Sequence, residues 1–303
     1  MNTNWSTYIQ KIETLNRSRL LRFNDYNKNI FKKYFGIKNG LKILELGCGT
    51  GILSYKLSNW YQNAIITGID RDSNFVKFCK EKYANNKRIQ FIETDVESLF
   101  FEKESFDVTI SHTVSEHIDP KIFFSEQYRV LKNKGICLML SSRTKNSINI
   151  IDNITNSYSE FEKRMWEKAK RYYEIIHEKY PVCQFPRSEQ EYPILMEEHG
   201  FKNISTDYIA INLTPDNNRT ENIGKSIIED NYRSTLEQID FLKEIIPDYN
   251  KVFTKTEIKQ WKNEITKKYN ERLNKFEKEE KLWEVNVSII MILRGEKQLK
   301  KQD

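Results

Sequence analysis

Residues 41–51 read LKILELGCGTG, a short apolar strand running into three glycines at alternate positions, Gly47, Gly49 and Gly51. The next stretch, from Ile52 to about Tyr61, has helical character, so the glycines sit at a strand-to-helix turn. Glycines at such a turn let the backbone fold tightly and bring a ligand close to amide groups at a helix N-terminus. A Walker phosphate loop would need GxxxxGK followed by Ser or Thr, whereas Gly51 is followed by ILSYK. A dinucleotide loop would put its third glycine at position 52, which is Ile52. A bare turn with no ligand is the structural alternative.

Outward from this turn the pattern repeats. AIITGID (64–70) reads as a second strand, followed by a helix over 73–84, and IQFIETD (89–95) as a third. FDVTIS (106–111) reads as a fourth, with a helix over 120–131 leading into a fifth, GICLMLSS (135–142). Apolar runs alternating with helical segments predict βαβ units, a parallel sheet and helices on both faces. Residues 1–40 read as helical and are closed by Gly36 and Gly40. After Ser142 come a long helical segment (157–180), a short helix stopped at Gly200 and a sixth strand, NISTDYIAINL (203–213). WEVNVSIIMILRG (283–295) reads as the last strand. Between them Ile258, Trp261, Ile265, Tyr269, Leu273 and Phe276 recur at helical spacing. That stripe predicts an amphipathic helix, docked on its own domain or serving a partner or dimer contact.

The 303 residues are 38% hydrophobic and 30% charged, enough for a core under a polar surface. Lys plus Arg number 49 against 43 Asp plus Glu, a mild excess of +6 that does not single out a nucleic-acid binder. Cys48, Cys79, Cys137 and Cys183 lie far apart with no CxxC pair, so a structural metal site is not expected. The opening MNTNWSTYIQKIETLNRSRL lacks the apolar core of a secretory signal, and no apolar run approaches membrane-spanning length. The expectation is a soluble, cytoplasmic protein with no membrane partner and an open oligomeric state.

Asp70 ends the second strand, at the sheet edge where open α/β folds bind ligands, and can accept two hydrogen bonds from a ribose diol. Asp95 follows the third strand and can accept from an adenine amino group with Val96 packed near the ring; helix capping is its alternative. Taken together, ILELGCGTG, GID, FIETDVESL, FDVTISHTVSEHI and RVLKNKGICLMLSS make residues 41–142 resemble a class I S-adenosylmethionine-dependent methyltransferase. KNKG stands where many relatives have a Pro-Gly-Gly turn, and residues 1–40, 143–190 and 214–282 match nothing recognisable.

The resemblance implies a Rossmann-like seven-stranded α/β sheet with added helical cap segments. It implies a core over 41–213 and 283–295, with 1–40 as a helical lid and 143–190 and 214–282 as a substrate cap. It implies S-adenosyl-L-methionine as cofactor, held by Glu45, Gly47, Cys48, Gly49, Gly51, Asp70, Arg71, Asp95, Val96 and Ser111. The loop after the fourth strand, Ser111, His112 and Thr113, would face the methyl group, with Glu116 and His117 beyond it.

Methyl transfer from a sulfonium is an in-line displacement, so the protein has to align the acceptor and exclude water. No metal follows from that scheme. His112 is the candidate general base where the acceptor has a proton to lose, with packing against the cofactor as its alternative. His117 is expected to brace the loop with Glu116, His177 and His199 to lie on the surface, and Arg22 and Tyr26 to close over the cofactor or stay on the helix surface. The loop SHTV lacks the [DNS]PP[YFW] motif of adenine amino-methylation, and it lacks the cysteines of RNA pyrimidine methylation. The expected acceptor is a small molecule methylated on oxygen or nitrogen. A protein or RNA substrate and a non-catalytic binder of the same fold remain as alternatives.

Overall fold

β1 (Lys42–Leu46) buries four of its five residues. In a computed structural model describing residues 5–143, 145, 147–150, 158–180 and 182–298 it is the middle of a twisted sheet. β2 (Ile65–Asp70) and β4 (Phe106–His112) flank it in parallel, β3 (Ile89–Glu93) pairs with β2, and β5 (Leu131–Ser142) with β4. β1, β2 and β4 are buried along nearly their whole length because both faces are covered. The predicted helices between them are α4 (Ile52–Trp60), α5 (Ser73–Lys82) and α6 (Pro120–Val130). Asp72 and Asp119 cap α5 and α6, and Pro120 opens α6, where its missing N–H costs nothing.

β5 starts at Leu131, four residues before the predicted Gly135. Its register with β4 shifts between Phe106 and Val108, which accommodates the polar KNK as an irregularity within the strand. β8 (Val285–Lys297) pairs antiparallel with β5, and β7 (Phe201–Asn212) also pairs with β8. The seven strands thus form the mixed, Rossmann-like sheet expected, in the order β3-β2-β1-β4-β5-β8-β7. Leu44, Leu46, Met139 and Leu293 of the sheet meet Phe123 and Phe124 of α6 and Tyr192 and Met196 of α8 (Glu191–Glu198) in one buried cluster. Each such side chain contributes about 1.5–3 kcal/mol.

The chain divides into two compact units. The sheet unit takes Met1–Lys145, Val182–Ile211 and Ile289–Asp303. It therefore includes the N-terminal helices α1 (Trp5–Tyr8), α2 (Ile12–Arg22) and α3 (Lys28–Phe35), the last closed by Gly36 at φ 58°. The second unit takes Asn146–Pro181 and Asn212–Ser288. It contains α7 (Glu160–Lys179), α9 (Glu221–Ile245), α10 (Tyr249–Val252) and α11 (Lys255–Glu277). Its short strand β6 (Ile148–Ile150) pairs with Val285–Val287 at the start of β8. Neither α9 nor β6 is in the sequence reading. Met165, Ala169, Ile239, Leu242, Trp261 and Ile265 form its core, and Trp166 meets Trp261 edge-on at 4.7 Å. Thr144, Asn146, 151–157 and Pro181 of the predicted cap, and the side chain of His177, lie outside the described residues.

Candidate active site

At the carboxyl edge of β1, β2 and β4 the sheet unit has an open-mouthed cavity of about 130 Å³. All its lining residues fall between Trp5 and Ile118. Of the predicted site, Glu45, Gly47, Cys48, Gly49, Asp70, Arg71, Asp95, Val96 and His112 line it. Gly51 and Ser111 do not: Gly51 is the left-handed N-cap of α4 at φ 71°, and Ser111 is buried in β4. The loop glycines are needed for close approach. A Cβ on Gly47, at φ 63°, would stand 2.5 Å from Val114 Cγ2.

The carboxylates come from successive strand ends. Asp70 accepts from the Gly49 amide at 2.8 Å through Oδ2 and from the Asp72 amide at 2.9 Å through Oδ1. Burial nevertheless pushes its carboxyl up to about 6. Glu45 is buried and accepts from the Ser54 hydroxyl, and burial pushes it further, to about 8. Asp95 lines the cavity, and its Oδ1 makes the cap foreseen as its alternative, accepting from the Glu97 amide at 3.0 Å at the short turn Val96–Ser98. The Cys48 thiol is raised by its buried neighbour Cys79 and by its own burial, so it stays protonated and packs as a small apolar group.

His112 sits at the end of β4 with Arg22 Nη1 3.1 Å from its Nε2. A guanidinium only donates, so Nε2 accepts and the ring proton is on Nδ1. Burial, with Arg19 and Arg22 beside it, holds the imidazole well below 6.5, so the ring is neutral at physiological pH. For His112 to take a proton at Nε2, Arg22 would have to be displaced.

The N-terminal helices supply what the motifs did not show. Trp5, Gln10, Leu15, Arg19 and Phe23 all line the cavity. α1 is tied down by Ser6, whose amide and hydroxyl donate to Asp72 at 2.6 and 3.1 Å. α2 is tied by Arg19, which donates to Thr113 Oγ1 at 2.8 Å. Trp5 meets the His117 ring edge-on at 4.8 Å. Of the two alternatives for Tyr26 the surface one holds: it is 56% exposed and does not line the cavity. His117 accepts from the Cys183 amide through Nδ1, while Glu116 accepts from the Ser141 and Ser115 hydroxyls rather than pairing with it.

A family model described as a methyltransferase domain matches residues 44–139. A demethylmenaquinone methyltransferase of Staphylococcus aureus strain JH9 is 30% identical over 187 residues, 59% of this chain and 75% of the relative. Its counterpart in strain Newman matches equally. The chain belongs to the class I S-adenosylmethionine-dependent methyltransferases. Among solved structures, phosphoethanolamine N-methyltransferase 2 of Haemonchus contortus resembles this methyltransferase twice. With phosphomonomethylethanolamine and S-adenosylhomocysteine bound the TM-score is 0.51 at 18% identity, covering 94% of this chain and 58% of that one. With S-adenosyl-L-methionine bound it is 0.54 at 17%, covering 99% and 60%. The methyltransferase thus spans about three fifths of those chains, and at such identities the likeness concerns the fold alone.

The residues present fit the family's cofactor. The glycine loop has no room for a side chain at Gly47, two carboxylates end adjacent strands, and Thr50 Oγ1 and Ser111 Oγ are buried without a partner among the described residues. Among the described helices none is long and apolar enough to cross a membrane.

Proposed function

We propose that this methyltransferase acts on a small-molecule acceptor, at oxygen or nitrogen, inside the cavity of the sheet unit. The observation that carries the reading is the lining of the cavity. Trp5, Gln10, Leu15 and Arg19 of the N-terminal helices border it together with Phe23, Ile52, Leu53, Phe75 and Ile118, and a few polar groups converge on it. Small-molecule sites have this make-up. A demethylmenaquinone methyltransferase, by its name, also acts on a single small molecule.

In this reading Asp70 and Asp95 accept hydrogen bonds from the hydroxyl and amino groups of the cofactor's nucleoside, with Val96 against its ring. Glu45, Arg71 and the backbone of Gly47, Cys48 and Gly49 line its remaining length, with Gly51 and Ser111 shaping the two strand ends. S-adenosylmethionine supplies the methyl group as an electrophile on a sulfonium. The chain holds the acceptor in line with it, excludes water beneath α1 and α2, and presents His112 to the acceptor. Within residues 1–40, the N-terminal helices act as the lid.

Tritium supplied on the methyl of S-adenosylmethionine, in an extract fractionated into metabolites, RNA and protein, tests the acceptor class. The reading expects label in the metabolites. Label in RNA or protein would establish the polymer alternative. No label anywhere, with S-adenosylhomocysteine bound, would leave a non-catalytic binder.

A further inference from the structure

Besides its carboxylates, the cavity is lined by two guanidiniums, Arg19 and Arg71, and two imidazoles, His112 and His117; Arg71 stands beside Asp70 at the end of β2, Arg19 beside His112. Both imidazoles have their tautomer imposed from outside. Arg22 donates to Nε2 of His112 at 3.1 Å, and the Cys183 amide donates to Nδ1 of His117 at 2.9 Å. In its neutral form each ring therefore carries its hydrogen on the other nitrogen and has a donor left over, Nδ1–H on His112 and Nε2–H on His117.

The direct partners of the two arginines are neutral. Arg19 donates to the hydroxyl of Thr113, Arg22 donates to His112, and neither forms an ion pair with a described carboxylate. Arg22 Nε is buried with no partner among the described residues. Two acids act on Arg19, Glu45 and Glu116, but neither is in contact with it as an ion pair. Glu45 accepts from the Ser54 hydroxyl and is pushed up to about 8 by burial, and Glu116 accepts from Ser115 and Ser141. Guanidiniums one turn apart on α2 with no carboxylate in contact favour a ligand that brings negative charge. Planar donors of this kind match a carboxylate or phosphate.

We propose that the methyl acceptor carries an anionic oxygen, received by Arg19, His112 and His117, with Arg22 holding His112 in the donating tautomer. An acceptor that arrives ionised has already lost its proton, which suits a histidine whose Nε2 is occupied. This rests on the reading of the cavity as a methyltransferase site. The same chemistry could be met by the cofactor's own carboxylate, so the test is made with that carboxylate already in place.

Calorimetry on protein saturated with S-adenosylhomocysteine compares benzoate and phenyl phosphate with neutral benzamide. The expected result is at least tenfold tighter binding of an anion than of benzamide. A further tenfold loss of that anion is expected in Arg22→Gln and in Arg19→Gln, with S-adenosylhomocysteine affinity in Arg22→Gln within twofold of wild type. Equal binding of benzoate, phenyl phosphate and benzamide would overturn the proposal. So would anion affinity unmoved in both variants, or variants that lose S-adenosylhomocysteine but keep benzoate, which would assign the arginines to the cofactor. The wild-type comparison needs no variant, so a variant that misfolds does not shelter the idea. Failure of S-adenosylhomocysteine to bind wild type would instead sink the methyltransferase reading, and the benzoate–benzamide comparison on free protein would still judge the donor set.

Discussion

In the helical unit, Arg272 is 3% exposed and its guanidinium meets Asp216 at 2.9 Å and Glu284 at 2.7 Å. Around the cavity of the sheet unit, Arg19 and Arg22 meet a hydroxyl and an imidazole and no carboxylate. Asp216 also accepts from the amides of Leu282 and Trp283, and buried Glu162 pairs with Lys268. The helical unit thus pairs its buried charge with carboxylates of its own, although Arg272 Nη1, like Arg22 Nε, has no hydrogen-bond partner among the described residues. The cavity leaves its charge poised for something that arrives. Charge paired in contact with carboxylates does not mark a binding site; half-buried charge with only neutral groups in contact points to one.

The sharpest way to break this contrast is to neutralise one arginine in each unit. Arg272→Met strands Asp216 and Glu284 together in the core and should cost about 3–5 kcal/mol in denaturant unfolding. Arg22→Met removes a charge with no ion pair and should cost less than about 1 kcal/mol, or stabilise the free protein. Similar losses in the two variants would mean that the distinction has no energetic content.

The pH dependence comes next in size. Glu45, raised from its ordinary 4.5 to about 8, binds its proton more tightly when folded. Its contribution is complete below about pH 4.5 and is lost as the pH rises towards 8. At about 1.4 kcal/mol per pH unit of displacement, the effect is on the order of a few kcal/mol. Asp70, raised from 3.8 to about 6, adds a fall in the same direction over a lower range. Glu45→Gln should flatten the decline between pH 5 and 8 in thermal melts. A decline that is just as steep in the variant would acquit Glu45.

Asp70→Ala should weaken S-adenosylhomocysteine by about 1–3 kcal/mol, the cost of leaving donors unpaired. Calorimetry showing unchanged affinity would take Asp70 out of the site. A small effect is expected of Ser6→Ala, which removes the hydroxyl's bonds to Asp72 and from Asn74, worth about 0.5–1.5 kcal/mol each. Hydrogen exchange should quicken in residues 5–22 while β1 is unaffected, and S-adenosylhomocysteine should slow it again. Uniform exchange across both regions would make α1 and α2 a fixed wall rather than a lid.

The strands from β1 to β5 were legible because a buried parallel strand is an unbroken apolar run, and the glycine loop because its spacing rejects two other ligand types. The roof of the cavity was not legible. Leu15, Arg19 and Phe23 follow one another at i, i+4 and i+8, but the arginine in the middle of that stripe hides it from a search for an apolar face. Ser6 and Asp72 are 66 positions apart, and nothing local links them. In α9 the buried Ile227, Ile228, Ile239 and Leu242 are interrupted by polar turns and Gly224, so its 25 residues show no continuous period. Arg22 was noted as a possible lid residue, but its hold on His112 depends on tertiary placement alone.

β8 lies between β5 and β7 in the sheet, yet it is synthesised after both. Cys137, Leu138, Met139 and Leu140 on β5 are fully buried in the finished protein. On the ribosome they form an open strand edge while the roughly 150 residues between Ser142 and Ile290 are still being added. At ~5–20 residues per second that edge waits for about 7 to 30 seconds. An unpaired apolar edge is a template for the wrong neighbour. Nascent chains of this protein are therefore most exposed to cross-pairing during that interval, and slower elongation after Ser142 lengthens it.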